Sequence, residues 1–206
     1  MLMNPHAQFV LAQRLRRGET TLGDVFAFLS GLYFRGKMAY APKFARPPRG
    51  VPGVWVITTN RGLVNADAKA DLPMLEGFSQ VGIDAKEPAY ALPLAATAQA
   101  LRERVGAACE VVLLGSIATG KYVDILEAIF GRQLLFPSDF IGRGDMSRGG
   151  LMLRHARSGE ELPYIAVQGA VRRGTRPPKL DALVRDFVEA EGSAIAESGQ
   201  KRRRKR

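Results

Sequence analysis

The chain has 206 residues, 46% of them hydrophobic, enough for one sizeable folded domain and too apolar for wholesale disorder. A single cysteine, Cys109, excludes an internal disulfide and a cysteine-built zinc site, and the two histidines, His6 and His155, lack metal-ligand spacing, so no metal and no cofactor is expected. The formal charge of +10 points to polyanionic partners, although six of the 30 basic residues form the run 201–206 and the rest of the chain sets 24 basic residues against 20 acidic.

From the N-terminus, "HAQFVLAQRLRRG" reads as a short helix ended by Gly18. Thr21 is a candidate N-cap for a second helix, with Leu22, Val25, Phe26, Leu29, Leu32 and Tyr33 at helical spacing. Its apolar stretch "VFAFLSGLYF" is shorter than the ~18 residues of a membrane span, so a cytoplasmic protein without a membrane partner is expected. Four prolines in residues 41–53 argue against regular structure there, and "VWVITT" (54–59) reads as a buried strand. Residues 60–92 read as irregular. A helix is expected over 93–106, with Pro93 in its first turn and Gly106 at its end. "EVVLLG" (110–115) reads as a second strand. It leads into a helix over 121–131, where Tyr122, Ile125, Leu126 and Ile129 form an apolar stripe that Gly131 closes. "QLLF" (133–136) is a third short strand, "FIGRGDMSRGG" (140–150) a glycine-rich loop, and "LPYIAV" a further strand. A last amphipathic helix is expected over 177–192.

Strand, helix, strand, helix, strand predicts an α/β fold: three layers, a largely parallel sheet flanked by helices, with the strand ends as the natural ligand site. The domain is expected to span 1–192, its first 40 residues a helical segment, with a disordered basic tail over 193–206.

Three segments at those strand ends are candidates for anion binding. In "LLGSIATGKY", Gly115, Ser116 and Thr119 precede a helix start, whose unpaired N–H groups and dipole favour an anion, and Lys121 adds a full charge. In 140–150, Gly142 and Gly144 allow close approach of backbone to a ligand. Ser147 is a hydroxyl donor, and Arg143 and Arg148 supply planar forks for phosphate. Asn60 and Arg61 follow the first strand as either phosphate or base-edge contacts, or simply a turn. Arg172 and Arg173, with Arg176 and Lys179 beyond them, extend a basic surface. Asp145 and Asp67 are the candidate acid/base groups if the chain is an enzyme.

The run "GLYFRGKMAYA", "VWVITTNRGLVNAD", "EVVLLGSIATGKYVDIL" and "LLFPSDFIGRG" resembles uncharacterised bacterial relatives of the peroxide-stress resistance protein family over residues 30–150. Leu32, Tyr33, Phe34, Trp55, Gly62, Leu63, Gly115, Tyr122, Pro137 and Gly142 stand at the matching places. Where those proteins carry a Ser-Ala turn, this chain has "TTNRG". The resemblance implies an α/β core and a link to DNA binding or protection. The expectation is therefore a protein that binds DNA or RNA through phosphate. The alternatives are an enzyme acting on a nucleotide or nucleobase by glycosidic-bond chemistry, and a non-catalytic subunit using helix 22–34 as its partner surface.

Overall fold

The computed structural model describes residues 2–180. The segment in which the last helix and the basic tail were expected lies mostly outside them, and residues 177–180 have no regular structure. The elements are α1 (Val10–Arg16), β1 (Thr20–Thr21), α2 (Leu22–Leu29), α3 (Gly31–Phe44), β2 (Trp55–Ile57), β3 (Leu63–Asn65), β4 (Lys69–Ala70) and α4 (Leu72–Ser79). They continue with α5 (Pro88–Val105), β5 (Val111–Val112), α6 (Gly120–Phe130), β6 (Leu134–Pro137), α7 (Asp145–Ser158) and β7 (Tyr164–Ala166).

The fold is mixed α/β, but its strands form three small sheets instead of one largely parallel sheet. β1 pairs with β4 and β2 with β3, both antiparallel; the third sheet has the order β5-β6-β7. Among the described residues β5–β6 is the one parallel ladder, with Val111 opposite Leu134, and β7 returns antiparallel with Phe136 opposite Ile165. The expected βα connection after "VWVITT" is a hairpin turn. Thr58 N–H donates to Gly62 O at 2.8 Å, and the Thr58 hydroxyl donates to the same carbonyl at 2.9 Å. Gly62 has φ 62°, and a Cβ there would stand 2.2 Å from Pro93 O and 2.1 Å from Thr97 Oγ1. Only glycine lets the turn lie on α5, where Leu63 N–H donates to Thr97 Oγ1 at 2.8 Å.

Local signals account for most helix ends. Thr21 and Asp24 form the reciprocal capping box of α2. The expected helix 22–34 is two helices, however, because Gly31 takes φ +65° and the chain turns between α2 and α3. α3 runs on into the proline-rich stretch, and Pro42 sits in its last turn. α5 starts at Pro88 rather than Pro93, since Glu87 caps it by accepting from Ala89 N–H. The segment 60–92 thus holds β3, β4, α4 and the first turn of α5. In α6 the buried residues are Val123, Leu126 and Phe130, while Tyr122, Ile125 and Ile129 pack at the edge of the same core.

The largest departure is at 140–150. A loop covers only 141–144, and α7 begins at Asp145, so Ser147, Arg148, Gly149 and Gly150 are helical. The reason is tertiary. α3 and α7 form the most extensive packing contact in the structure and run parallel, Gly36 meeting Gly149 and Lys43 Nζ donating to Ala156 O at 2.5 Å. A Cβ on Gly36 would stand 2.6 Å from Gly149 O, and one on Gly149 would stand 2.7 Å from Leu32 O. These glycines permit a close helix crossing and supply no loop freedom.

Two apolar cores flank this pair. The larger gathers Tyr90, Leu94, Val123, Phe130, Phe136, Phe140 and Met152; the smaller gathers Leu15, Leu22, Val25, Val56 and Phe78. Gly149→Ala is expected to destabilise the protein by about 1–3 kcal/mol through overpacking, against the ~1 kcal/mol that helix propensity alone would add. Thermal unfolding checks this. A lower Tm is expected; an unchanged or higher one contradicts backbone contact at the crossing.

Candidate functional site

α7 presents two faces, and each builds a different environment. On the outer face Arg143, Ser147, Gly150 and Arg154 line a pocket of about 350 Å³. Residues 176–180 close its other side and add Arg176 and Lys179. No carboxylate lines it among the described residues. The loop and the closing segment interlock: a Cβ on Gly142, which has φ +72°, would stand 2.0 Å from Thr175 O, and one on Gly174 would stand 2.4 Å from Ile141 Cγ2. Gly142 is therefore needed for chain-to-chain contact. Arg143 is held in place by three acceptors, Asp139 O at 2.9 Å, Ser147 Oγ at 3.2 Å and Pro178 O at 3.3 Å. Gly144, the exposed N-cap of α7, makes no side-chain cap bond and lines the pocket next to Arg143.

On the inner face Arg148 is 9% exposed and turned away from that pocket. Its Nε donates to Phe140 O at 3.2 Å and its Nη1 to Asp145 Oδ1 at 3.3 Å. Asp145 itself remains largely exposed in the first turn of α7. Beside Arg148 on α3 stand Tyr33 and Lys37. Tyr33 Oη donates to Leu114 O at 3.2 Å, just beyond β5, and burial raises its pKa. Lys37 Nζ sits 4.1 Å from the centre of the Tyr33 ring and 5.3 Å from that of Phe34. Burial pushes Lys37 down to about 8, with Arg148 adding to that effect and Asp145 opposing it.

Lys37 opens onto a cleft of about 660 Å³ between the unpaired edges of β2 and β5. Trp55, Tyr122 and Phe130 are among its walls, and Tyr90 reaches it from α5. Tyr90 is fully buried, its hydroxyl makes no hydrogen bond to any described group, and burial pushes its pKa to about 12. Neither Lys37 nor Tyr90 stands out in the sequence. The one local signal for Lys37 is a cation four residues after Tyr33 on the inner face of a mostly apolar helix.

The other candidate residues are dispersed. Gly115 packs under Tyr122, whose hydroxyl donates to Ser116 O at 2.8 Å, and Ser116 Oγ accepts from Ala118 N–H at 3.3 Å. Thr119 is the N-cap of α6 without a side-chain bond, and Lys121 is exposed in its first turn. Asn60 and Arg61 form the β2–β3 turn, where Asn60 Oδ1 is buried without a partner and Arg61 is exposed. Arg172 is engaged with Asp124 at 2.8 Å and Glu127 at 3.1 Å on α6, and Arg173 is exposed. Asp67 lies exposed in the β3–β4 turn over the smaller core, whereas Asp145 opens α7 over the larger one, so the two are not assembled into one acid/base pair. Among the described residues there is no cluster of histidine, cysteine or carboxylate groups suited to a metal ion, and no helix long and apolar enough to cross a membrane.

Comparison with protein-family models, curated proteins and solved structures finds no match to this chain.

The lowered pKa of Lys37 makes a signed prediction. Between about 8 and its ordinary 10.5 the unfolded chain holds the proton that the folded one has released, so stability rises with pH. From about pH 9 the raised thiol of Cys109 and the raised phenols of Tyr33, Tyr40, Tyr90, Tyr122 and Tyr164 act oppositely, because these groups ionise first in the unfolded chain. Between pH 8 and 10 the change in stability by urea unfolding should therefore be more favourable in the unaltered chain than in Lys37→Met by on the order of 2 kcal/mol. An equal change in the two contradicts this environment for Lys37.

Proposed function

We propose that the chain binds DNA or RNA through backbone phosphate, at the pocket on the outer face of α7. The observation that carries this reading is a concave site whose lining among the described residues brings together the cations Arg143, Arg176 and Lys179 without a carboxylate. Arg143 is pre-oriented by its three oxygen acceptors, which lowers the entropy lost when its remaining donors meet phosphate. The start of α7 lies at the same place, its positive dipole end partly offset by the Asp145 carboxylate in the first turn. The run Lys201–Arg206 supplies further sequence-independent affinity through counterion release. The resemblance over residues 30–150 favours DNA. Arg148 is assigned a structural role: it holds Phe140 O and Asp145 and does not face the pocket.

Fluorescence anisotropy with duplex DNA, on the full chain and on a chain ending at Gln200, tests this across a salt series. Phosphate contacts each contribute about −0.9 to the slope of log K against log salt. Arg176→Ser with Lys179→Ser should therefore flatten that slope by about 1.8 in the shortened chain. Loss of all binding with the last six residues, or an unchanged slope in the double variant, would reject the pocket as the site.

A further inference from the structure

We propose that the cleft between β2 and β5 takes an extended apolar peptide, which adds as a strand between the two sheets and places its terminal carboxylate against Lys37. The cleft shares no lining residue with the basic pocket, so the inference does not rest on nucleic-acid binding. β2 is hydrogen-bonded to β3 alone, and β5 to β6 alone. Their registers show which main-chain groups are left over. Val54 O accepts from Ala66 N–H, and Thr58 N–H donates to Gly62 O. By antiparallel alternation the N–H and C=O of Trp55 and Ile57 therefore point away from β3. On β5 Leu113 N–H donates to Leu135 O at 2.8 Å, so Val112 points its N–H and C=O away from β6. These groups make no hydrogen bond among the described residues, and an added strand satisfies them from both sides.

Residues 110–114 line one side of the cleft, a length of ~13 Å of extended chain. Phe34, Ala41 and Phe44 from α3 and Leu126 and Phe130 from α6 give it apolar walls for the side chains of the guest. Charge sets the direction. Among the described residues the charged groups that line the cleft are Lys37, Arg46, Glu110 and Glu161. Arg46 and Glu161 pair with each other at 3.1 Å, and the Thr58 hydroxyl is engaged by Gly62 O. Glu110 is exposed just before β5. Lys37 stands at the other end, against the ring of Tyr33, whose hydroxyl donates to Leu114 O at 3.2 Å. Two rings flank its ammonium, but no oxygen among the described residues accepts from it, and Asp145 nearby is engaged by Arg148 at 3.3 Å. Burial lowers Lys37 only to about 8, so the amine is mostly charged at neutral pH. A guest parallel to β5 thus carries its carboxylate to Lys37 and its amino end toward Glu110.

The probe is the N-acetylated peptide Lys-Val-Thr-Val-Leu with a free carboxylate, titrated into the full chain at neutral pH. Trp55 is the single tryptophan and lines the cleft, so its fluorescence reads occupancy directly. A saturable change in emission is expected, with the C-terminal amide of the same peptide binding about tenfold more weakly. No saturable change, or equal binding of acid and amide, overturns the proposal. Lys37→Met should bind acid and amide alike; a retained preference for the acid also overturns it. Should that variant not fold, the contrast between acid and amide in the unaltered chain decides alone. A peptide N-methylated at its central threonine should bind several-fold more weakly, since it cannot complete the ladder. Undiminished binding contradicts strand addition. Light scattering covers the remaining occupant: a dimer whose Trp55 emission the peptide leaves unchanged assigns the gap to a second copy of the chain and overturns the proposal.

Discussion

The contact between Gly36 and Gly149 is the constraint on which the rest of the molecule depends. Two helices can approach this closely only where neither presents a Cβ, and here each glycine faces backbone of the other helix. The approach fixes α7 in rotation as well as position. Arg148 and Asp145 are thereby brought beside Tyr33 and Lys37, while Arg143, Ser147 and Arg154 face outward. One helix thus separates a wet, cationic pocket from a largely apolar cleft. The same separation gives two arginines five residues apart different work, one oriented toward a pocket and one satisfying a carbonyl within the core.

The closing segment makes a second dependence. Residues 174–175 lie against 141–142 with no room for side chains at Gly142 or Gly174, and Arg143 donates to Pro178 O. The pocket exists only because this late stretch of chain crosses the start of α7. Two of its cations, Arg176 and Lys179, come from that stretch. They therefore depend on the same interlock that holds Arg143.

Signals that act over a few residues could be read from the sequence. Thr21 caps α2, Gly18 follows α1, Gly106 and Gly131 end their helices, and the apolar runs at 54–59, 110–115 and 133–136 each contain a strand. What was not legible depends on partners distant in the chain. Gly149 and Gly150 read as loop residues because glycine is a poor helix former, and nothing nearby reveals that Gly36 awaits one of them. "TTNRG" reads as a strand end opening into an irregular stretch until Gly62 is seen against Pro93 and Thr97. A strand's polarity relative to its neighbours is likewise invisible in its own composition, so a parallel sheet was expected where a hairpin formed. The basic character of 140–150 and 172–179 was legible, but not its division between pocket, core and the Arg172 ion pairs. Lys37 and Tyr90 were missed because a lysine in a helix and a tyrosine near a proline are ordinary until burial is known.

Hydrogen–deuterium exchange of the full chain with and without duplex DNA, at low salt, tests most directly whether the outer face of α7, not the cleft behind it, meets phosphate. The account predicts added protection over 143–154 and 174–180, with the cleft strands at 54–58 and 110–115 unaltered. Protection centred on those strands, or none over the start of α7, would contradict it.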